Sequence, residues 1–343
     1  MRENTRKILV WLPSPIGDVV LCTPALRAIR RHFESSQIAF FARPVVRELL
    51  SPGAFNDIWI EQKTGNPLAI AYTFSRHKFT HAILLKNSFG SALAAWLARI
   101  PHRIGYAREG RSPLLTQKLH PPRLPTGKFK PISMIDYYLA IPSALGARTA
   151  DRTLELSVDS QDDEKLYGKL PELGRPDGIV VTLVPGGAFG PSKCWPSERF
   201  AQTADRLIEN YDATVIVSVA SNRLETQIAK EICDSSRQRL INLAERPLTL
   251  GELKALFSSS DLVISNDTGP RHIAIALGRK VITLFGPNDP AWTETGHNDE
   301  IQLIGRAPCA PCRKPKCKQP EHLCMQAITV QMVYDAAKRL LEK

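Results

Sequence analysis

The chain has 343 residues, 43% of them apolar, which is too long for one ordinary α/β core and too apolar for disorder on the scale of a domain. No run approaches the roughly 18 to 20 apolar residues of a membrane span, and the apolar run Ile8 to Leu12 stops at Pro13, too early for a secretion signal. The net charge of +11 sits wholly in the first part: residues 1–150 hold 21 Lys+Arg against 8 Asp+Glu, residues 151–343 hold 24 against 26.

The predicted elements restart halfway. Lys7 to Leu12 reads as a buried strand, followed by a loop and one helix from about Val19 to Phe33. Strands are predicted at Gln37 to Phe41, Asp57 to Ile60 and His81 to Leu85, with helical patterns near 67–76 and 88–98. Residues 110–131, rich in Pro, Lys and Arg, read as irregular, and Asp159 to Asp177 as the link between domains. Gly178 to Val184 then begins a second series, with a Gly-rich loop, a helix from about Ser197 to Glu209, and strands at 213–219, 240–242, 261–265 and 280–285. Helices near 222–235, 249–258 and 269–278 separate them, and a last helix covers about Thr329 to Glu342. Short β-branched runs alternating with amphipathic helices imply parallel sheets covered by helices, twice over.

Four stretches carry candidate chemistry. Pro13-Ser-Pro-Ile-Gly-Asp18 joins the first strand to its helix, where loops of doubly wound folds meet ligand. Asp18 there is either a helix cap or a carboxylate aimed at the ligand. Val184-Pro-Gly-Gly-Ala-Phe-Gly-Pro-Ser-Lys193 is the matching loop of the second series. Gly186 and Gly187 let main-chain N–H groups approach an anion, and Lys193 offers it a point charge, although the spacing fits neither a Walker loop nor the dinucleotide fingerprint. Asn266-Asp-Thr-Gly-Pro-Arg-His272 opens a helix whose first amides can bind phosphate, with His272 in the first turn. Its plain alternative is Asp267 as a cap and His272 as a packing residue. An aspartic-protease reading of Asp267-Thr-Gly is set aside, because the single copy lies in a βα unit. Cys309, Cys312, Cys317 and Cys324 fall within sixteen residues and could hold a structural metal or cluster, though their spacing matches no common motif.

At these residues the chain resembles the ADP-heptose:lipopolysaccharide heptosyltransferases of glycosyltransferase family 9, their heptosyltransferase II members most of all. The likeness runs nearly end to end, through Pro15-Ile-Gly-Asp18, Lys86-Asn-Ser-Phe-Gly-Ser-Ala-Leu93 with Ile100 to Gly105, Pro185 to Lys193 with Trp195-Pro196, and Asn266-Asp-Thr-Gly269 with His272. The resemblance implies a GT-B fold, α/β, of two Rossmann-like doubly wound domains facing across a cleft. An acceptor-binding domain is expected over 1–170, an ADP-sugar-binding domain over 171–328, and a C-terminal helix over 329–343 packing back on the first.

It further implies inverting transfer of L-glycero-D-manno-heptose from ADP-heptose, as co-substrate, to the inner core of lipopolysaccharide, with no cofactor and no catalytic metal. Asp18 would be the general base and Lys193 the charge on the leaving diphosphate. Gly186, Gly187, Asp267, Thr268, Gly269 and His272 would line the donor site, Glu225 the ribose, and Asn87 and Ser88 the acceptor. The basic first half would meet a phosphorylated lipid A and inner-core acceptor at an anionic membrane face. That makes the expected location cytoplasmic, peripheral to the inner membrane. A heptosyltransferase I or III, or a family member serving another surface glycan, is the nearest alternative; a non-catalytic nucleotide-binding protein is one of another class. Nucleic acid is not expected as a partner, since no zinc-finger spacing or RNA-binding aromatic signature is present.

Overall fold

In the computed structural model, residues 6–174, 178–187, 189–319 and 321–343 are described. The chain forms two compact units, one of residues 1–156 with 291–295, the other of 157–290 with 296–343.

The first unit holds β1 (Lys7–Trp11), α1 (Ile16–Leu21), α2 (Thr23–His32), β2 (Gln37–Ala42), α3 (Pro44–Leu50), β3 (Ile58–Glu61), α4 (Pro67–His77), β4 (His81–Leu84), α5 (Phe89–Leu97), β5 (His102–Tyr106), β6 (Gln117–Leu119) and α6 (Met134–Ala144). Its sheet is parallel, in the order β3-β2-β1-β4-β5-β6. The four-residue run Ile8 to Trp11 is fully buried, as a central parallel strand with helices on both faces must be. Trp11 meets Phe41 and Phe74 edge to face at centroid distances of 4.7 and 5.6 Å, each pair worth ~1 kcal/mol beyond the area it buries.

The expected single helix from Val19 to Phe33 is two. Pro24 has no N–H to give the Val20 carbonyl, and the Thr23 hydroxyl donates to that oxygen instead, at 2.8 Å. The chain breaks at Cys22 and restarts as α2, whose last turn sets Arg30, Arg31 and His32 against the helix dipole. Residues 110–131 are more ordered than their composition implies. Gln117–Leu119 adds an edge strand to β5, and Arg123 pairs with Phe129 across the turn at Gly127. The Phe129 ring lies between Arg108 and Arg123, 4.4 and 4.5 Å from their guanidinium carbons.

The second unit comprises α7 (Ser160–Lys169), β7 (Val180–Val184), α8 (Ser197–Tyr211), β8 (Thr214–Val217), α9 (Arg223–Ser235), β9 (Ile241–Asn242), α10 (Leu250–Ser258), β10 (Leu262–Asn266), α11 (Gly269–Ala276), β11 (Lys280–Phe285), β12 (Glu300–Ile304), α12 (Leu323–Gln326) and α13 (Val330–Leu341). Its sheet runs β12-β11-β10-β7-β8-β9, all parallel, which repeats the topology of the first strand for strand. Much of the expected link is folded. Asp159 caps α7, which packs against α10, and residues 175–177 of that stretch lie outside the described residues.

The C-terminal helix belongs to this unit and packs against α8. Val333, Ala336, Ala337 and Leu340 form an i, i+3, i+4, i+7 stripe in the second core, and Trp195 secures the approach by donating to the Ile328 carbonyl at 2.9 Å.

Each sheet has one place where the strand order reverses, between β1 and β4 and between β7 and β10. There neighbouring loops leave in opposite directions and open a crevice at the carboxyl ends of the strands. The functional residues expected from the sequence cluster at these two places.

Candidate active site

In the first unit the loop after β1 leads into α1. Pro15 is the residue before that helix and makes no side-chain cap, so Asp18 is not the cap: it lies in the first turn, half-buried and without an ion pair among the described residues. Burial raises its carboxyl from 3.8 to about 6. The buried phenol of Tyr138 is pushed up by its own burial and by the charge of Asp18 nearby. The loop after β4, the neighbouring strand, carries Lys86, Asn87 and Ser88. Asn87 Oδ1 accepts from Arg111 Nη2 at 2.9 Å, and Ser88 caps α5 by accepting from the Ser91 N–H at 3.2 Å.

Arg111 is fully buried and also donates to the Tyr106 and Lys86 carbonyls and the Ser91 hydroxyl, at 2.8, 2.5 and 3.1 Å. It holds the Lys86–Ser88 loop in place. Gly105 makes room for it, since a Cβ there would stand 2.9 Å from Arg111 Nη2.

Sequence reasoning missed a basic pocket beside this loop. Arg43, Lys63 and Lys86 line a cavity of about 300 Å³ with Ser14 and Gly65, on loops that follow β2, β3, β4 and β1. Arg43 Nη2 donates to the Ser14 carbonyl at 2.6 Å, and none of the three cations has an ion pair among the described residues. Burial and the charge of Arg43 lower the pKa of Lys86. An anion entering here would find one cation, Lys86, already partly desolvated beside two exposed ones.

In the second unit the loops after β7 and β10 meet. Lys193 is buried on a short 3₁₀ turn (Pro191–Lys193), and its Nζ donates to the Asp267 carbonyl and to Asp267 Oδ2, at 2.5 and 2.8 Å. Asp267 accepts in addition from Asn288 Nδ2 at 2.9 Å, with Arg271 Nη1 at 3.5 Å. Arg271, fully buried, makes a two-pronged pair with Glu300 at 2.7 and 3.0 Å. Burial alone would raise the Asp267 carboxyl, yet Lys193, Arg271 and the bonds from Lys193 and Asn288 hold it down to about 2. Its carboxylate anchors Lys193; it is not the helix cap, a position Thr268 takes without a side-chain cap bond.

Thr268 and Gly269 start α11 at this edge. His272 is buried, its Nδ1 has no hydrogen-bond partner among the described residues, and burial with the charge of Arg271 lowers it to about 3, so the ring is neutral at working pH. Gly186 and Gly187 pass so close to their neighbours that a Cβ would stand 2.1 Å from Glu225 Oε2 or 2.6 Å from Thr268 Cγ2. Glu225, after β8, accepts from the Ala220 N–H at 2.9 Å. All the donor-side residues expected from the sequence therefore meet at one edge of one sheet.

The cysteines stand differently. Cys309 is exposed, whereas Cys324 on α12 is buried beneath Gly286, its thiol pushed up by burial and by the three other thiols nearby. Among the described residues no group of three or more His, Cys, Asp or Glu side chains is placed to hold a metal ion, and the four cysteines that could have formed a site are free thiols. The segment instead braces the donor loop: Ser192 donates from its N–H to the Pro315 carbonyl at 3.2 Å and from its hydroxyl to the Lys314 carbonyl at 2.6 Å.

Two parallel sheets of one doubly wound topology, each with polar groups at its switch point, define an α/β glycosyltransferase fold of the GT-B class. The family model for glycosyltransferase family 9 (heptosyltransferase) matches residues 68–322, and the chain belongs to that family of enzymes. It is 28% identical to lipopolysaccharide heptosyltransferase 2 of Escherichia coli K12, over 98% of each chain. It is 29% identical to lipooligosaccharide heptosyltransferase 2 of Haemophilus ducreyi, over 98% of this chain and 99% of the relative. The crystal structure of E. coli ADP-heptose lipopolysaccharide heptosyltransferase II shares the fold, with a TM-score of 0.80 at 23% identity over 98% of each chain.

Proposed function

We propose that the chain transfers L-glycero-D-manno-heptose from ADP-heptose to the inner core of lipopolysaccharide, a reading supported by relatives named lipopolysaccharide or lipooligosaccharide heptosyltransferase 2. The observation that carries the reading is Asp18: a carboxylate at the first switch point, relieved of any ion pair and raised to about 6 by burial. At pH above 6 it is ionised and basic enough to take the proton of an acceptor hydroxyl as that oxygen attacks the anomeric carbon. The C1–O bond to ADP breaks on the opposite face, so configuration inverts. Lys193, held by Asp267, meets the charge that grows on the departing diphosphate, and the amides opening α11 and the glycine loop add to it. This arrangement supplies from protein groups the charge stabilisation that a metal ion can supply elsewhere, and the proposed reaction needs no cofactor.

The Glu225 carboxylate suits the ribose hydroxyls, and Asn87 and Ser88 the acceptor sugar. The pocket of Arg43, Lys63 and Lys86 suits a phosphate or carboxylate of that acceptor. Such an acceptor is built on lipid A, which places the enzyme at the cytoplasmic face of a membrane while it works. The test is mass spectrometry of the acceptor after incubation with ADP-heptose and mono-heptosylated Kdo-lipid A in EDTA. A gain of one heptose is expected. Release of ADP without that gain would keep the donor and overturn the acceptor; neither product would overturn the donor.

A further inference from the structure

The first unit carries an apolar face that its proposed chemistry does not use. Helices α4 and α5 pack side by side on one side of the sheet. Leu68 and Tyr72 share a face of α4 at i and i+4, and Phe89 and Trp96 share a face of α5 at i and i+7. These side chains are 66, 68, 48 and 48% exposed. Neither helix brings charge to this surface before Arg76, and α5 carries none at all from Phe89 to Leu97. Scattered exposed apolar residues need no account, but four large ones on two adjoining helices form a patch.

The surroundings of the patch say what covers it. From Gln62 to Arg108 the sequence has seven Lys or Arg and not one Asp or Glu. Exposed Lys63 lies just before α4, exposed Arg76 and Lys78 at its end, and exposed Arg99 just after α5. A protein partner would ordinarily be met by charges of both signs. An apolar patch with Trp and Tyr, framed only by cations, fits an anionic lipid surface, where indole and phenol rings rest among the headgroups and lysines meet phosphates. The helix N-termini also lie at the carboxyl edge of the sheet, so Phe89 follows directly on the acceptor-side residues Asn87 and Ser88.

We propose that the α4–α5 face is the surface by which this enzyme docks on anionic lipid, with Leu68, Tyr72 and Trp96 entering the headgroup layer and Lys63, Arg76, Lys78 and Arg99 meeting its charge. The proposal rests on the reading of a lipid-borne acceptor, yet it can be tested without it. The full chain is titrated with vesicles of phosphatidylglycerol and phosphatidylethanolamine that contain no acceptor, with phosphatidylcholine vesicles as the control. Binding to the anionic vesicles, weakened by salt, is expected, with a blue shift of tryptophan emission that disappears in Trp96→Phe. The variant Leu68→Ser/Tyr72→Ser/Trp96→Ser changes only exposed positions. It should bind at least tenfold more weakly while transferring heptose to a soluble, delipidated acceptor at an unchanged rate.

No binding to anionic vesicles, equal binding by the triple variant, or binding only once acceptor is added to the vesicle would each overturn the proposal. So would sedimentation showing a wild-type dimer that the triple variant dissolves, since the face would then belong to a second copy. Failure of transfer to the soluble acceptor by the wild type, with vesicle binding intact, would count against the proposed reaction and leave the docking surface standing.

Discussion

Replacing Asp18 by Asn is expected to stabilise the protein and disable it at once. An ordinary aspartate titrates at 3.8, and burial holds this one at about 6. The folded state thus binds a proton more tightly than the unfolded state, and stability falls as pH rises from 3.8 to 6. Above 6 the full penalty is present, and below 3.8 it is gone. At 1.36 kcal/mol for each pH unit, the penalty is about 3 kcal/mol as an upper figure. Water at the half-buried carboxylate trims this, so Asp18→Asn should gain ~1–3 kcal/mol at pH 7.5 and nothing near pH 3.8. Turnover should drop by roughly 10² to 10⁴, the usual worth of a positioned base. In the unsubstituted enzyme, turnover should fall about tenfold for each pH unit below 6. Urea denaturation at the two pH values gives the first result, and ADP release with ADP-heptose and acceptor gives the second. An unchanged stability at pH 7.5, or a gain that is the same at pH 3.8, would refute the desolvated carboxylate. Near-native turnover would remove Asp18 from the base role.

Lys193→Ala takes the ammonium from the buried Asp267 carboxylate but leaves Arg271 and Asn288 beside it. The loss should be ~1–3 kcal/mol, below the 3–5 kcal/mol of a buried pair with no other support, and ADP affinity by calorimetry should fall at least tenfold. Gly186→Ala would place its Cβ 2.1 Å from Glu225 Oε2, so the carboxylate must move. ADP should bind about tenfold more weakly in this variant and in Glu225→Ala, and the double variant should be no worse than either, as expected for residues acting through one contact. Raising salt from 50 to 500 mM should raise the acceptor KM several-fold and leave the ADP affinity nearly unchanged, because Arg43, Lys63 and Lys86 have no ion pair among the described residues whereas Lys193 and Arg271 are buried and paired. Equal salt dependence on both sides would refute that division.

Asp18, Lys193, Asp267 and Glu225 could be picked out because each stands within nine residues of the end of a strand, and in a doubly wound sheet that position is already an address. What escaped depends on partners far apart in the sequence. Arg271 and Glu300 are joined because β11 and β12 run in register, and β12, with two polar residues in five, does not read as a buried strand. Arg43, Lys63 and Lys86 sit on three loops and share a pocket only because β2 and β3 lie on one side of β1 and β4 on the other. The charge excess of the first half hinted at such a pocket without locating it. Pro24 was a visible signal that the helix at Val19 could not run through, and the Pro- and Lys-rich stretch after Gly110 misled because Phe129 organises its arginines.

The two units repeat one topology and hold their charges in opposite ways, and the contrast follows from what each has to do. In the second unit Lys193 and Arg271 are buried, and Asp267 and Glu300 neutralise them. Fixed to Asp267, Lys193 is already aimed, ready for charge that develops only as the diphosphate leaves, and it need not reorganise when that happens. The cost is little long-range attraction, which a small nucleotide sugar bound through backbone amides can do without. The pocket of the first unit leaves Arg43, Lys63 and Lys86 without an ion pair among the described residues and closer to water, where they attract from a distance and tolerate an acceptor of variable shape. Asp18 has no ion pair among the described residues, and burial sets its shift. Were it ion-paired like Asp267, it would be held near 2 and would be too weak a base for the hydroxyl it is proposed to deprotonate.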